Sequence, residues 1–262
     1  MLELRNIDVS FRSEKQESIF RAKRIQVLHG ISLEVPEGLC LGMLGESGSG
    51  KSTTGRVLCG LLKPDKGQVL LNGKDVYHTK EGRKALREYI SIVFQDYTTS
   101  ANPRFQVKDI IAEGLQMYRR RTGKRFDISP EVNSLLEQVG LDKSFLTRYP
   151  HELSGGQLQR VCIARAIGCH TPMIVLDEAI SSLDAHTQVQ IMDLLKELKV
   201  RYGLTYIFIT HDLTAITYLC DRVLFLYQGQ VVEECCVSEI AEVKNEYAQK
   251  LLSAIIDFEE GT

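Results

Sequence analysis

The sequence predicts an α/β fold: a largely parallel sheet wound by helices, with a helical segment set into it. Three observations carry this expectation. Leu39–Leu44 and Met173–Leu176 are short, continuously apolar runs, as strands buried on both faces are. Such runs alternate along the chain with helix-length segments, the pattern of a sheet built through crossover connections. A glycine-rich stretch, Gly45-Glu46-Ser47-Gly48-Ser49-Gly50-Lys51-Ser52, lies directly between one of these strands and a helix. That context makes a phosphate-binding loop credible.

The 262 residues suffice for one large domain, or one domain with a subdomain. The composition is that of an ordinary globular chain, and a formal net charge of −2 leaves no electrostatic footprint for nucleic acid. No apolar run approaches the roughly 18–20 residues needed to span a bilayer. Met1-Leu2-Glu3-Leu4-Arg5 leads straight into a strand pattern, without the form of a signal peptide. The expectation is a cytosolic protein that reaches a membrane only through a partner. The cysteines, seven and therefore odd in number, show no C-x-x-C spacing and read as small apolar residues in a reducing compartment. Cys235 and Cys236 are adjacent, so on a strand they face opposite ways and make a poor metal pair.

Leu2–Phe11 alternates apolar and polar residues and predicts a strand. The charged stretch Arg12–Gln26 reads as a surface insertion or hairpin tip, Val27–Val35 as a second strand, and Pro36-Glu37-Gly38 as a turn. After the glycine loop a helix is expected from Lys51 to Leu62, closed by Lys63-Pro64-Asp65-Lys66-Gly67. Gln68–Leu71 and Ile90–Phe94 are further strands, with a polar helix near Lys80–Glu88 between them. From Asp96 to about Pro150 the pattern turns helical, with helices over Val107–Arg120 and Pro130–Val139. The sheet pattern then resumes: helix Gln157–Ile167, strand Met173–Leu176, helix Ala185–Val200, strand Thr205–Ile209, helix Asp212–Cys220, and a closing hairpin of Arg222–Leu226 with Val231–Glu234. Ile191, Met192, Leu195 and Leu198 mark the buried stripe of the Ala185–Val200 helix.

In the glycine loop, backbone N–H groups can close around phosphates, and the helix N-terminus adds a favourable dipole. Lys51 is expected on the β- and γ-phosphates, the Ser52 hydroxyl on Mg²⁺, and Thr53 near the α-phosphate. Asp177 and Glu178 end the strand Met173–Leu176, where alternation would aim them differently: Asp177 at Mg²⁺ through water, Glu178 at an attacking water. Leu153-Ser154-Gly155-Gly156-Gln157 holds no acid or base, so its use must be binding. A hydroxyl and two close-approaching glycine N–H groups at a helix start, placed near Gln157, make a second anion site. Two such helix starts cannot easily serve one γ-phosphate from one chain. A head-to-tail dimer resolves this.

The glycine loop, the segment Leu153–Gln157 and Met173–Glu178, in that order, resemble the ATP-binding cassette family over nearly the whole chain. The resemblance implies a P-loop NTPase (RecA-like) core with an antiparallel β subdomain and an inserted α-helical subdomain. It implies one cassette over residues 1–262, a helical subdomain at 96–152 and a C-terminal helical extension at 238–262. ATP and Mg²⁺ follow as cofactors, with two ATPs sandwiched so that Gly45–Thr53 of one chain faces Leu153–Gln157 of the other. Gln95 resembles the glutamine that touches Mg²⁺ and the water and relays nucleotide state to the helical subdomain. Ser182-Leu183-Asp184 resembles the loop that contacts the partner chain, and His211 the histidine on the γ-phosphate. Phe11 resembles the aromatic that stacks on adenine, with Phe20 as an alternative.

Asn102-Pro103-Arg104 and the segment Glu246–Ile255 are similar to ATPase subunits of peptide and nickel importers. Tyr247, Leu251, Leu252 and Ile255 would form an apolar stripe docking on the core. Arg160–Ala166 and Asp177-Glu178-Ala179 resemble the nickel branch, and the chain ends soon after Ile256, without a longer tail. The implied function is ATP hydrolysis coupled to import of nickel or a related transition-metal complex, or of di- and oligopeptides. The implied partners are a second, related ATPase subunit, two transmembrane permease subunits and an extracytoplasmic solute-binding protein. This places the chain at the cytoplasmic face of the inner membrane, peripheral through the permeases, with no nucleic acid and no direct contact with the solute. Two other classes compete: a soluble cassette ATPase acting on DNA or ribosomes, and a regulator that binds ATP without turning it over. A single cassette and the near-neutral charge speak against the first, and Glu178 and His211 against the second.

Overall fold

A computed structural model describes residues 1–12, 24–96 and 100–259, with side chains through Ser253. Its contacts divide the chain into two units, 1–87 with 207–262, and 88–206.

In the first unit, β1 (Leu2–Arg12) and β2 (Arg24–Val35) form an antiparallel hairpin, from Leu2 opposite Val35 to Arg12 opposite Arg24. The ladder therefore reaches three residues beyond the expected start at Val27. The Arg24 guanidinium explains the extension: it donates to the Ser10 hydroxyl and carbonyl and to Asp65 at 2.7–2.9 Å. Residues 13–23, including Phe20, lie outside the described residues. β4 (Lys66–Leu71) pairs on the other edge of β1, and β5 (Lys74–Asp75) pairs with β4, giving the order β2-β1-β4-β5. Leu2, Leu4, Ile7 and Val9 point into the core, with the alternation broken where the β1 register shifts.

β3 (Cys40–Leu44) is buried at every position and runs parallel to β9 (Arg222–Tyr227). β10 (Gln230–Cys236) closes the expected antiparallel hairpin with β9, and β8 (Thr205–Thr210) flanks β3 on its other side. The helix after the glycine loop, α1, covers Lys51–Leu58 and stops short of Leu62. Gly60, at φ 72, takes the chain into the left-handed region that ends helices. The Tyr77 hydroxyl meets the carbonyls of Val57 and Leu62, beside this helix end, at 2.6 and 2.7 Å. α2 spans Lys80–Tyr89.

In the second unit, β6 (Ile90–Val93) lies parallel to β7 (Met173–Asp177), Ile90 opposite Met173. α3 (Val107–Thr122) and α4 (Ile128–Gln138) fall within the segment expected to be helical and pack with α5 (Gly155–Gly168). Arg165 of α5 ties this group together, donating to the Ser100 carbonyl at 2.8 Å and pairing with Glu113 of α3 at 3.4 Å. α6 (Ala185–Tyr202) buries Ile191, Met192, Leu195 and Leu198 as the spacing predicts, and ends where Gly203 turns left-handed at φ 62. Short 3₁₀ turns at Lys143–Phe145, Pro150–Glu152 and Val237–Glu242, and the two-residue β5, are too brief to show periodicity and were not anticipated. α7 (Leu213–Leu219) and α8 (Glu246–Glu259) complete the helices described, both in the first unit. Among the described residues, no helix is long and apolar enough to cross a membrane.

Candidate functional site: a nucleotide loop, an acidic strand end and a capped glycine segment

In the first unit, the loop Gly45–Gly50 joins β3 to α1. Its rim residues Glu46, Ser47 and Gly48 are exposed, while Gly45, Ser49, Gly50 and Lys51 are buried. Gly48 and Gly50 take positive φ, 81 and 105. Gly45 can carry no side chain: a Cβ there would lie 2.3 Å from the Leu226 carbonyl oxygen. α1 has no acidic residue in its first turn and no side chain capping its start, so its N-terminal donors keep their affinity for an anion.

Two further observations fit this loop to a phosphate. Lys51, only 5% exposed, turns its ammonium back onto the carbonyls of Gly45 and Glu46 at 2.6 and 2.9 Å. A phosphate, anionic and rich in acceptor oxygens, suits an ammonium held at this place in the loop. Among the described residues the buried Ser49 hydroxyl finds no hydrogen-bond partner, an orphan that native interiors rarely keep. Ser52 and Thr53 follow, half-buried on the first turn of α1.

His211, also in the first unit, stands exposed between the last residue of β8 and the cap of α7. Its position is set by its neighbours. Asp212 accepts the N–H groups of Thr214 and Ala215, and its own N–H donates to the Thr210 hydroxyl at 3.0 Å. Phe11 is 39% exposed near the end of β1, opposite Ile25.

In the second unit, the acidic pair departs from the expected strand alternation. β7 ends at Asp177, and Glu178 lies beyond it at φ 46, a left-handed conformation rare for a residue with a side chain. The backbone turns at Glu178, so the two are not successive residues of one strand. The turn is secured by the Ser181 N–H and hydroxyl, which both donate to the Glu178 carbonyl, at 3.2 and 3.0 Å. Gln95 donates its amide to the Glu178 carboxylate at 2.8 Å. Two residues 83 apart in sequence thus meet at the end of a parallel strand pair, an arrangement able to orient a carboxylate toward water.

The segment Leu153–Gln157 also differs from expectation. α5 starts at Gly155, two residues before the expected Gln157, because Ser154 caps it. The Ser154 hydroxyl accepts the Gln157 N–H at 3.3 Å, and the Gln157 side chain accepts the Ser154 N–H at 2.9 Å. Gly155 and Gly156 therefore form the first helical turn and leave it without side chains. Gly156 has a further reason to be glycine: a Cβ there would lie 2.5 Å from the Thr187 methyl of α6. Thr187 in turn donates its N–H and hydroxyl to Asp184, the cap of α6, at 2.9 and 2.7 Å. The loop Ser182-Leu183-Asp184, half-buried at Leu183, and the glycine segment are thus joined through one threonine, which sequence reasoning passed over.

Tyr247 was also missed as a polar partner. Expected only as part of an apolar stripe, its hydroxyl accepts the Glu46 N–H at 3.0 Å. Its aromatic and stripe character concealed the one polar atom. Leu251 and Leu252 are half-buried on the same helix, and the side chain of Ile255 lies outside the described residues.

A buried phosphate-type loop, a carboxylate-ended strand with a glutamine on it, and a glycine-started, serine-capped helix define the class of a nucleotide-hydrolysing cassette. The comparisons agree. The model of the family described as "ABC transporter" matches residues 28–181. A metal-staphylopine import system ATP-binding protein, CntF of Staphylococcus aureus, is 39% identical over 98% of this chain and 100% of its own. An oligopeptide transport ATP-binding protein, OppF of Bacillus subtilis, is 43% identical over 92% of this chain and 80% of its own. Among solved structures, the dimeric post-hydrolysis state of the ATP-binding cassette MJ0796 bound to ADP and Pi superposes with a TM-score of 0.78 at 29% identity, covering 90% of this chain and 99% of that one. A Clostridium perfringens protein, cbiO1, part of the ABC transporter complex cbiONQ, superposes with a TM-score of 0.75. The chain belongs to the ABC transporter family, and it is an ATPase of that family.

Proposed function

We propose that this chain is the ATP-hydrolysing subunit of a membrane importer for a transition-metal complex, nickel or a related ion. The supporting observation is the 39% identity, over nearly its whole length, to a protein named for metal-staphylopine import. The short stretches Arg160–Ala166 and Asp177-Glu178-Ala179 point the same way. The 43% identity to an oligopeptide transport protein supports a second reading, the same role in a peptide importer.

In the proposed cycle, Gly45–Thr53 grips the phosphates and Phe11 stacks on adenine. Ser52, Asp177 and Gln95 would hold Mg²⁺, which when bound neutralises phosphate oxygens. Glu178, steadied by Gln95, polarises the attacking water, and His211 contacts the γ-phosphate. Ser154, Gly155, Gly156 and Gln157 bind the γ-phosphate held by a second, related ATPase subunit, and Asp184 lies at that contact. The subunit associates peripherally with two permease subunits at the cytoplasmic face of the membrane, and a solute-binding protein delivers the cargo. The cargo itself does not touch this chain.

Reconstitution with its permeases and binding protein tests the reading. ATP-dependent uptake of a metal chelate, without uptake of peptides, is expected. Uptake of peptides alone would replace the metal reading by the peptide one. No ATP-dependent uptake of any solute would reject the importer role.

A further inference from the structure

Two hydrogen bonds pin the nucleotide loop from behind. At one end, the Glu46 N–H donates to the Tyr247 hydroxyl of α8 at 3.0 Å. At the other, the Gly229 N–H in the β9–β10 turn donates to the Ser49 carbonyl at 2.9 Å. Between them lie the exposed rim residues Ser47 and Gly48. The Tyr247 ring rests on Tyr227 of β9, centroids 4.2 Å apart and planes tilted by 32°.

The phenol oxygen is held in place by a chain of contacts that begins in β10. The Glu233 carboxylate accepts the N–H groups of Lys244 and Asn245, at 2.9 and 2.7 Å. The Asn245 side chain then accepts the Tyr247 N–H at 2.9 Å and caps the start of α8. Every link lies in the first unit. The C-terminal helix is therefore fastened to the sheet so that one hydroxyl meets one loop amide.

We infer that Tyr247 is a positioning residue for nucleotide: its hydroxyl, by accepting the Glu46 N–H, pre-orders the phosphate-binding loop and so sets ATP affinity. The inference rests on the reading of Gly45–Thr53 as the nucleotide loop. A loop already ordered loses less conformational entropy when it closes on a phosphate. The effect belongs to binding rather than to the chemical step, because Tyr247 touches the loop backbone and no reacting group. The residues around the C-terminal helix thereby become part of the nucleotide site, although they are remote from it in sequence.

Tyr247→Phe keeps the ring on Tyr227 and removes the acceptor. Losing one neutral hydrogen bond is expected to raise the ATP dissociation constant of the full chain about three- to tenfold. Calorimetry reads this, with the thermal midpoint held near that of the parent. In the assembled transporter the KM for ATP rises by the same factor while kcat holds. Tyr247→Ala, which also removes the ring, should weaken binding at least as much. Parent-like ATP affinity in the Phe variant overturns the inference, even if the Ala variant is weak, because the residue then acts only by packing. A Phe variant in which kcat and thermal midpoint fall with affinity also overturns it. Lys51→Ala separates the two levels: unchanged ATP binding there means the loop reading itself has failed, independently of Tyr247.

Discussion

Gln95 holds Glu178 by a 2.8 Å hydrogen bond, and Glu178 occupies a left-handed backbone position at φ 46. Strain of this kind at a side-chain-bearing residue is kept where the surroundings over-determine it, often at functional sites. The Ser181 contacts fix the backbone and Gln95 fixes the carboxylate. If Glu178 polarises water, Glu178→Gln should retain ATP binding and lower turnover about 10²–10⁴-fold, the range for general-base catalysis. Gln95→Ala should lower turnover too, and the loss in the double variant should fall short of the product of the two single losses, because Gln95 acts in part through Glu178. Steady-state hydrolysis at saturating ATP decides it, and a parent rate in Glu178→Gln would remove Glu178 from the role of base.

The contact between Gly156 and Thr187 gives a test of packing at the glycine segment. Gly156→Ala would set a Cβ against the Thr187 methyl, where 2.5 Å separates them without relaxation. Overpacking of this kind costs about 1–3 kcal/mol. Thr187→Ser deletes that methyl but keeps the hydroxyl that bonds Asp184. The double variant should regain most of the stability lost in Gly156→Ala, measured by urea unfolding. Equal losses in the single and double variants would mean that the two residues do not press on each other.

Asp184 supplies a pH signature. The Thr187 N–H and hydroxyl hold its carboxyl below the usual carboxylate range. A depressed folded-state pKa contributes stability above the unfolded value and loses it as pH falls through the folded value. Asp184→Asn keeps an acceptor for the helix start but cannot titrate. Its unfolding midpoint should therefore fall less than that of the parent between neutral and acid pH. Parallel acid limbs for the two proteins would contradict the assignment.

Phe11 depends on the hairpin end that carries it. Asp65 accepts from the Ser10 N–H and hydroxyl at 2.6 and 2.7 Å and from Arg24 at 2.7 Å, clamping both strands beside Phe11. Phe11→Ala should raise the ATP dissociation constant about tenfold if the ring stacks on adenine. Asp65→Ala should produce a smaller rise in the same direction, and GTP, ITP and ATP should then be less well distinguished. Unchanged affinity in Phe11→Ala would move the adenine contact elsewhere.

Strong local patterns made much of the fold legible. Leu39–Leu44, realised as β3 over Cys40–Leu44, and Met173–Leu176 announce buried strands by unbroken apolarity, and Ile191, Met192, Leu195 and Leu198 announce the buried stripe of α6. What escaped depends on single backbone choices or distant partners. Gly60 could equally have continued α1 in a sequence reading, since glycine marks a stop only once its φ is known. The start of α5 moved because Ser154 and Gln157 satisfy each other, a reciprocal bond that spacing suggests but does not impose. Glu178 could be placed at a strand end, but not in a left-handed turn. Thr187 and Tyr247 drew no notice because each reaches its partner through the fold rather than through a motif.

The composite nature of the site is tested most directly by Gly155→Asp in the assembled transporter, with ATP affinity and ATP turnover measured on the same sample. If α5 faces a phosphate held by another ATPase subunit, as proposed, a carboxylate in its first turn would stand beside that phosphate. ATP affinity at this chain's own Lys51 should stay within about twofold while turnover is lost, since like charges repel strongly where water is excluded. Normal turnover in that variant would mean that Leu153–Gln157 binds no phosphate across an interface.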